Sequence, residues 1–511
     1  MSAAPIETPD VLLRRIYDEE FGFLPTNKSM KPVHVANGLA RRVVSETSDF
    51  RPLAKVIRQY VTKQKAGYLE ERNPNSAIIE AFPGRFQDLY RNRPTDERLT
   101  SFRALAKDTL GADGAVFESG QSSFTLSHQR MITNDVSDNG SGDFLASLLT
   151  AGSGSTVAKD LLRELLNRDT DPWTLIAWPM LDVGATSYAE LSGVASTRSE
   201  RVSANLLAVG DDGQMSSPTL RELRKRFDQL ASYEKQGEKL TTLRRLVLFG
   251  CFAIHVHMIH RCADVMPDGP RPPILLDMFD GRRRALREAS AATLEAGRRA
   301  IEQLVVFRIR EYVASVLEDE EHIGHFLDTL ADTPVNRLIV DVYQAERASV
   351  GSVDALAEAY WKAGYSDVGP REARGYPWNS MRELGRRSGY LYPYDDRGRG
   401  GKEHKRYGAN AEFAEVLVAS IVAPGYPRQL DEFLDDLRHA YGIVVGRQGD
   451  FDIVRHNDLR LGVDLPRSVS FNENDLRLNV NQFRDLLIDI GFARTYADGR
   501  TIVTADEGRQ L

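Results

Sequence analysis

The sequence predicts a mainly α protein: helical N-terminal and central regions followed by two small α+β modules in tandem. Three observations carry this. Apolar residues recur at three- and four-residue spacing through most of the N-terminal and central chain, the mark of helices with one buried face. From Leu243 to Cys262 they run almost without a break, as in a helix surrounded by protein. In the C-terminal third the pattern changes twice to a helix followed by two short extended runs around a glycine-bearing turn. With 511 residues, 42% hydrophobic and 27% charged, the chain is long and apolar enough for several cores.

Taken in order, residues 1–195 read as a mixed, mostly helical region. Val11, Leu12 and Ile16 and then Val56, Ile57 and Tyr60 keep helical spacing between about Thr8 and Gln64. Short helices continue through 75–130, and DVSDNGSG at 135–142 is a loop by composition. GSGST at 152–156 leads into a helix over Val157–Leu166, with Ser155 or Thr156 as its N-cap. The Ser-, Gly- and Asp-rich stretch 196–216 reads as a linker or a long surface loop. A central helical bundle then spans 215–345. It opens with a charged helix over Pro218–Lys239, striped by Leu220, Leu223, Phe227 and Leu230. The apolar 243–262 helix follows, then the extended PDGPRPP at 267–273 and an alanine-rich helix over Ala285–Leu317.

The module at 346–410 carries helices over Val353–Ala363, capped by Ser352 and stopped by Gly364, and over Pro377–Arg387, stopped by Gly389. Extended runs at Tyr390–Tyr394 and Lys405–Tyr407 flank the glycine-rich tip DDRGRGGKEH. Helix, strand, basic tip and strand are the second half of a winged helix. The module at 411–511 repeats the theme, with helices over Glu412–Val422, Leu430–Tyr441 and Val480–Ile490, a strand over Gly442–Val445 and a hairpin over 491–504 around Asp498-Gly499. The expected fold is therefore a helical body followed by tandem winged helices.

Charge singles out the first of these. The chain carries a net charge of −7, yet Arg371–Gly408 holds ten Lys or Arg against five Asp or Glu, leaving −12 elsewhere. Such asymmetry marks one confined anion-binding face. Arg382, Arg386 and Arg387 fall on the helix that a winged helix lays in the major groove. Arg397, Arg399, Lys402, Lys405 and Arg406 populate the wing, where glycines let backbone approach phosphate closely. The competing reading is a solvated basic loop or a docking surface for an acidic protein. The second winged helix has Arg494 and Arg500 but also Asp485, Asp489 and Asp498, which favours a protein-contact or packing role.

No pattern specifies a reaction. Two cysteines, Cys251 and Cys262, share the apolar helix with His255, His257 and His260, and that spacing fits packed core groups better than a zinc module. Asp319, His322 and His325 in EDEEHIGH lack the second Glu-x-x-His helix of a di-metal site. GSGST lacks the Gly-Lys-Ser/Thr ending of a phosphate loop. No cofactor and no metal is expected. The start MSAAPIETPDVLLRR lacks a secretory pattern, and the apolar run Leu246–Ile259 is short and contains histidines, so a cytoplasmic protein without a membrane span is expected.

The apolar segment RRLVLFGCFAIHVHMIHRCADV at 244–265, followed by PPILLDMFDGRRRALREASAATLEAGRRAIEQL at 272–304, resembles DptG-like accessory subunits of bacterial phosphorothioation-dependent restriction, an anti-phage defence system. The resemblance implies ATPase, HerA-type helicase or nuclease partner proteins, and it carries no catalytic residue. The expectation is a non-enzymatic scaffold of a DNA-defence or DNA-processing complex that touches duplex DNA through the basic winged helix. A winged-helix transcriptional regulator and a divergent metal-dependent nuclease are the alternatives.

Overall fold

The computed structural model describes residues 7–24, 30–44, 138–151, 157–167, 206–210, 213–234, 238–317, 320–365, 378–392, 405–446 and 473–505, with 101 and 104 isolated. The described chain is mainly α, 71% helical and 6% strand. It divides into two compact units that do not follow chain order: Met1–Met30, Arg201–Gln229 and Cys251–Leu511 form one, and Lys31–Glu200 with Leu230–Gly250 form the other.

The second of these units is built on α2 (Pro32–Val44), α3 (Ser141–Thr150) and α4 (Val157–Asn167). Helices α2 and α3 cross with backbones almost touching, because a Cβ at Gly142 would lie 2.3 Å from the Leu39 nitrogen. Asp138 caps the start of α3 by accepting a 3.0 Å bond from the Gly142 N–H, and Arg41 pairs with Asp143 at 3.2 Å. Arg163 of α4 donates to the Val43 carbonyl at 2.8 Å. GSGST and the stretch 51–100 lie outside the described residues.

In the larger unit α1 (Pro9–Phe21) packs on α7 (Arg284–Val316). The buried Glu20 carboxylate accepts from Arg261 at 3.0 Å and from Arg308 at 2.7 Å. Arg261 belongs to α6 (Lys239–Val265), whose apolar window is 89% buried, as the unbroken run predicts. It is long and apolar enough to cross a membrane by composition, but its side chains are taken up by protein. Thr219 of α5 (Pro218–Glu234) bonds to Asp264 at 2.9 Å, and Ser217, which also contacts Asp264, caps α5 through the Leu220 N–H. The expected linker is partly folded: Val209 and Met215 form a β-bridge, and Leu206 and Met215 are buried.

Helices α8 (Glu320–Thr329), α9 (Pro334–Val350) and α10 (Ser352–Tyr365) follow, α9 and α10 as an antiparallel pair turned at Gly351, φ +89°. Ser352 is the first residue of α10 and not its cap. Gly364 does not stop that helix but lies inside its last turn, where a Cβ would meet a Leu13 methyl at 2.3 Å. Next come α11 (Trp378–Arg387), β2 (Leu391–Tyr392) and β3 (Arg406–Tyr407), the two strands antiparallel. Gly389, φ +81°, ends α11 as the sequence predicts.

The C-terminal part contains α12 (Ala411–Ile421), β4 (Arg428–Gln429), α13 (Leu430–Tyr441), β5 (Ile443–Val444), α14 (Glu473–Asp489), β6 (Ala493–Thr495) and β7 (Thr501–Val503). Strands β4, β7 and β6 form one antiparallel sheet in that order. β5 leaves this sheet and pairs in parallel with β1 (Ile274–Leu275), a strand the sequence reading passed over. Asn479 of α14 locks the pair: its amide donates to the Leu276 carbonyl at 2.6 Å and the Val445 carbonyl at 2.8 Å, and its oxygen accepts from Met278 at 2.9 Å.

Candidate nucleic-acid interface

The β2–β3 hairpin carries the basic segment, and its base is set into the core beside α6. Phe252 meets Tyr390 edge-on at 5.4 Å, and both rings pack against Phe413. The Tyr390 hydroxyl donates to the Cys251 carbonyl at 3.2 Å. On the other strand, the Tyr407 hydroxyl and His255 Nε2 share a 2.7 Å hydrogen bond. Ser290 of α7 brackets the Tyr407 backbone, accepting from its N–H at 2.9 Å and donating to its carbonyl at 3.1 Å. The hairpin is thus joined to α6 and α7 by side chains that are buried throughout.

The predicted contact residues divide into three groups. Arg397, Arg399 and Lys402 lie outside the described residues, in the connection 393–404 between β2 and β3. Arg382, Arg386 and Arg387 stand on α11 half-buried. Arg386 and Arg387 each reach Glu383 at 2.6 Å, with side chains 18% and 17% exposed. Burial raises the Glu383 pKa, but the hydrogen bonds from Arg387 and Arg386 outweigh that and hold the carboxyl below its usual range. Two of the three α11 arginines therefore share one carboxylate.

Lys405 and Arg406 form the third group, and both are buried. Arg406 is a correction to the expected phosphate contacts. Its Nε donates to Asp277 at 2.9 Å and its Nη2 to Asp280 at 2.9 Å. Asp277 also accepts from the N–H groups of Phe279 and Gly281, at 2.9 and 2.7 Å. A guanidinium so enclosed anchors β3 to the turn before α7 and has no face left for a phosphate.

Sequence reasoning passed over one basic cluster. Arg282, Arg283, Arg284 and Arg287 gather where α7 begins, against the hairpin base. The signal was present as the run GRRRALRE at 281–288, but a basic run on a long helix reads as a solvated face. The first turn of α7 holds no acidic residue, although the helix dipole favours carboxylates there.

No protein-family model, curated protein or solved structure matches this chain.

The buried histidines and cysteines of α6 are occupied by packing. His260 Nε2 bonds to the Pro272 carbonyl at 3.1 Å, and Phe21 meets His257 edge-on. Burial drives the pKa of His255, His257 and His260 down to about 3, with the neighbouring charge of Arg261 adding to the effect at His257 and that of Arg271 at His260. Burial pushes the Cys251 thiol up to about 12 against a hydrogen bond with Ser388. Neutral imidazoles and an un-ionised thiol in a dry core are poor nucleophiles and poor proton carriers. His322 and His325 are both exposed on the outer surface of α8, whose Ile323 and Leu327 are buried.

The last hairpin has a different character. Its register places Arg494 beside Ile502, and a 2.8 Å bond from the Tyr496 N–H to the Arg500 carbonyl continues the pairing. Arg494, Tyr496 and Arg500 therefore share one outward face. Tyr496 is 55% exposed, and Arg500 is drawn to Asp498 at 3.5 Å.

Proposed function

We propose that the chain is a non-enzymatic DNA-binding subunit that holds duplex DNA through the segment between β2 and β3 and through α11. The observation that carries the reading is the mount. The stretch Arg371–Gly408, of net charge +5 in a chain whose remainder is −12, presents Arg397, Arg399 and Lys402 on a connection tethered at Tyr392 and Lys405, on strands bonded into the core. A tether that rigid limits the entropy lost when the basic segment meets a polyanion. Arg397, Arg399 and Lys402 supply the main contacts, with Arg382, Arg386 and Arg387 at the flank. Arg406 and Lys405 serve as the anchor.

The C-terminal elements support a winged-helix reading of 411–511. Helix, strand, helix, strand, helix and hairpin occur in that order, and with β5 paired elsewhere the sheet of the other three runs β4, β7, β6. The acidic balance of α14 and the exposed Tyr426 and Tyr496 suit a protein-contact surface, where tyrosine is enriched. In this reading the module recruits an ATPase, helicase or nuclease to the bound duplex.

The test is binding of a short labelled duplex by the intact protein and by its Arg397→Ala/Arg399→Ala/Lys402→Ala variant. Loss of three phosphate contacts flattens the slope of log affinity against log salt by about 2 to 3 and weakens binding at low salt. Equal affinity and equal slope would overturn the reading.

A further inference from the structure

We propose that Glu383 is an intramolecular rival of DNA phosphate, a carboxylate that occupies Arg386 and Arg387 and limits how tightly α11 holds a duplex. The inference rests on the reading of the hairpin segment and α11 as the DNA-contacting elements, and it assigns that site an affinity-limiting residue.

The packing of α11 places this carboxylate among the arginines. Met381, Leu384 and Ser388 are buried, and a Cβ on Gly385 would stand 2.5 Å from a Leu391 methyl. That side of the helix is closed against β2. At about 100° per residue, Arg382, Glu383, Arg386 and Arg387 fall together on the other side. Glu383 is the single acidic residue in the α11 sequence WNSMRELGRR. A duplex laid along the arginines therefore meets the carboxylate as well.

The contacts are drier than those of an ordinary surface pair. Both carboxylate oxygens are used: Oε1 accepts from Arg387 Nε and Oε2 from Arg386 Nη2, each at 2.6 Å. The Glu383 side chain is 16% exposed, whereas Arg298 and its partner Glu295 on α7 are 46% and 45% exposed. Exposed pairs are screened by salt and yield readily to other ions, but a pair withdrawn from water is held. Against the opposing effect of burial, the bonds from Arg387 and Arg386 keep the carboxyl below its usual range, so it stays charged.

A phosphate asks for the same donors. Guanidinium groups bind carboxylate and phosphate through the same N–H edges. With Arg387 Nε and Arg386 Nη2 given to Glu383, a phosphate must displace the carboxylate or stand beside it. Displacement strands a charge that had partners, and the second course sets two anions side by side. In either case the two arginines supply about one phosphate contact instead of two. Glu383 thus keeps α11 a loose flank and leaves the hairpin tip as the main grip.

The experiment titrates one labelled duplex over a salt series with the intact protein in several forms. These are the unaltered chain, Glu383→Gln, Glu383→Ala, Arg386→Gln/Arg387→Gln, the two arginine changes combined with Glu383→Gln, and the tip variant described above. Glu383→Gln and Glu383→Ala are each expected to bind about tenfold tighter at low salt. Their salt slope is expected to steepen by about 1. The arginine variant loses about 1 from the slope, and the combined variant matches it, because Glu383 then has nothing to withhold. Equal or weaker binding by both Glu383 variants, with the tip variant impaired, overturns the rivalry and leaves the DNA reading standing. A gain that survives in the combined variant makes Glu383 a source of general repulsion and also overturns it. No binding by any form overturns both.

Discussion

Arg406 belongs by sequence to the basic wing, yet its side chain is 8% exposed and paired with a fully buried Asp277. Removing one partner of a buried ion pair leaves the other charge stranded, at a cost of about 3 to 5 kcal/mol. Arg406→Ala is therefore expected to lower stability by that order in urea unfolding, with any loss of DNA binding following from loss of the fold. An Arg406→Ala protein of unchanged stability would contradict the anchor role. Nothing in KEHKRYG distinguishes Arg406 from Lys402, because the residue that claims it lies 129 positions away. Gly389 is the opposite case: its stop signal is local, and the structure places a left-handed residue there. Residue roles set by neighbours in sequence were readable, and those set by distant carboxylates were not.

At the scale of elements, α6 dictates the most. It holds three imidazoles in a dry core, each with its pKa drawn down from the ordinary 6.5 to about 3. The unfolded chain binds protons at these groups below about pH 6.5, whereas the folded chain does not until about pH 3. Stability is thus fully present above the unfolded value and is lost as pH falls through that window. At pH 5 each histidine removes roughly 2 kcal/mol. Denaturant unfolding at pH 7 and pH 5 is expected to show a fall of several kcal/mol, reduced in His257→Phe. A pH-independent midpoint would mean the histidines are hydrated. Long elements such as α6 and α7 were legible because an unbroken apolar run and an alanine-rich stretch extend over many turns. The pairing of β1 with β5 was not, since two-residue strands carry no period and are held by Asn479 from a third segment. For the same reason α14 begins at Glu473, seven residues before the apolar pattern announces it, on the buried Asp475, Leu476 and Asn479.

For the whole molecule, chain order and spatial order part company. The larger unit is assembled from Met1–Met30, Arg201–Gln229 and Cys251–Leu511, so the hairpin once read as a separate module shares a core with α1, α6 and α7. The charge partition was readable from composition; the convergence of Arg282–Arg287 with the hairpin base needed the fold. An acidic body with one basic mount should bind nucleic acid locally and with strong dependence on salt. The direct test is the affinity of the intact protein for a labelled duplex between about 50 and 200 mM salt. The three tip residues and the three α11 arginines together predict a log–log slope of about −4 to −6, reduced by about half when the hairpin tip is neutralised. A slope near zero, or the same slope with and without the tip charges, would contradict the assignment of this protein to duplex DNA.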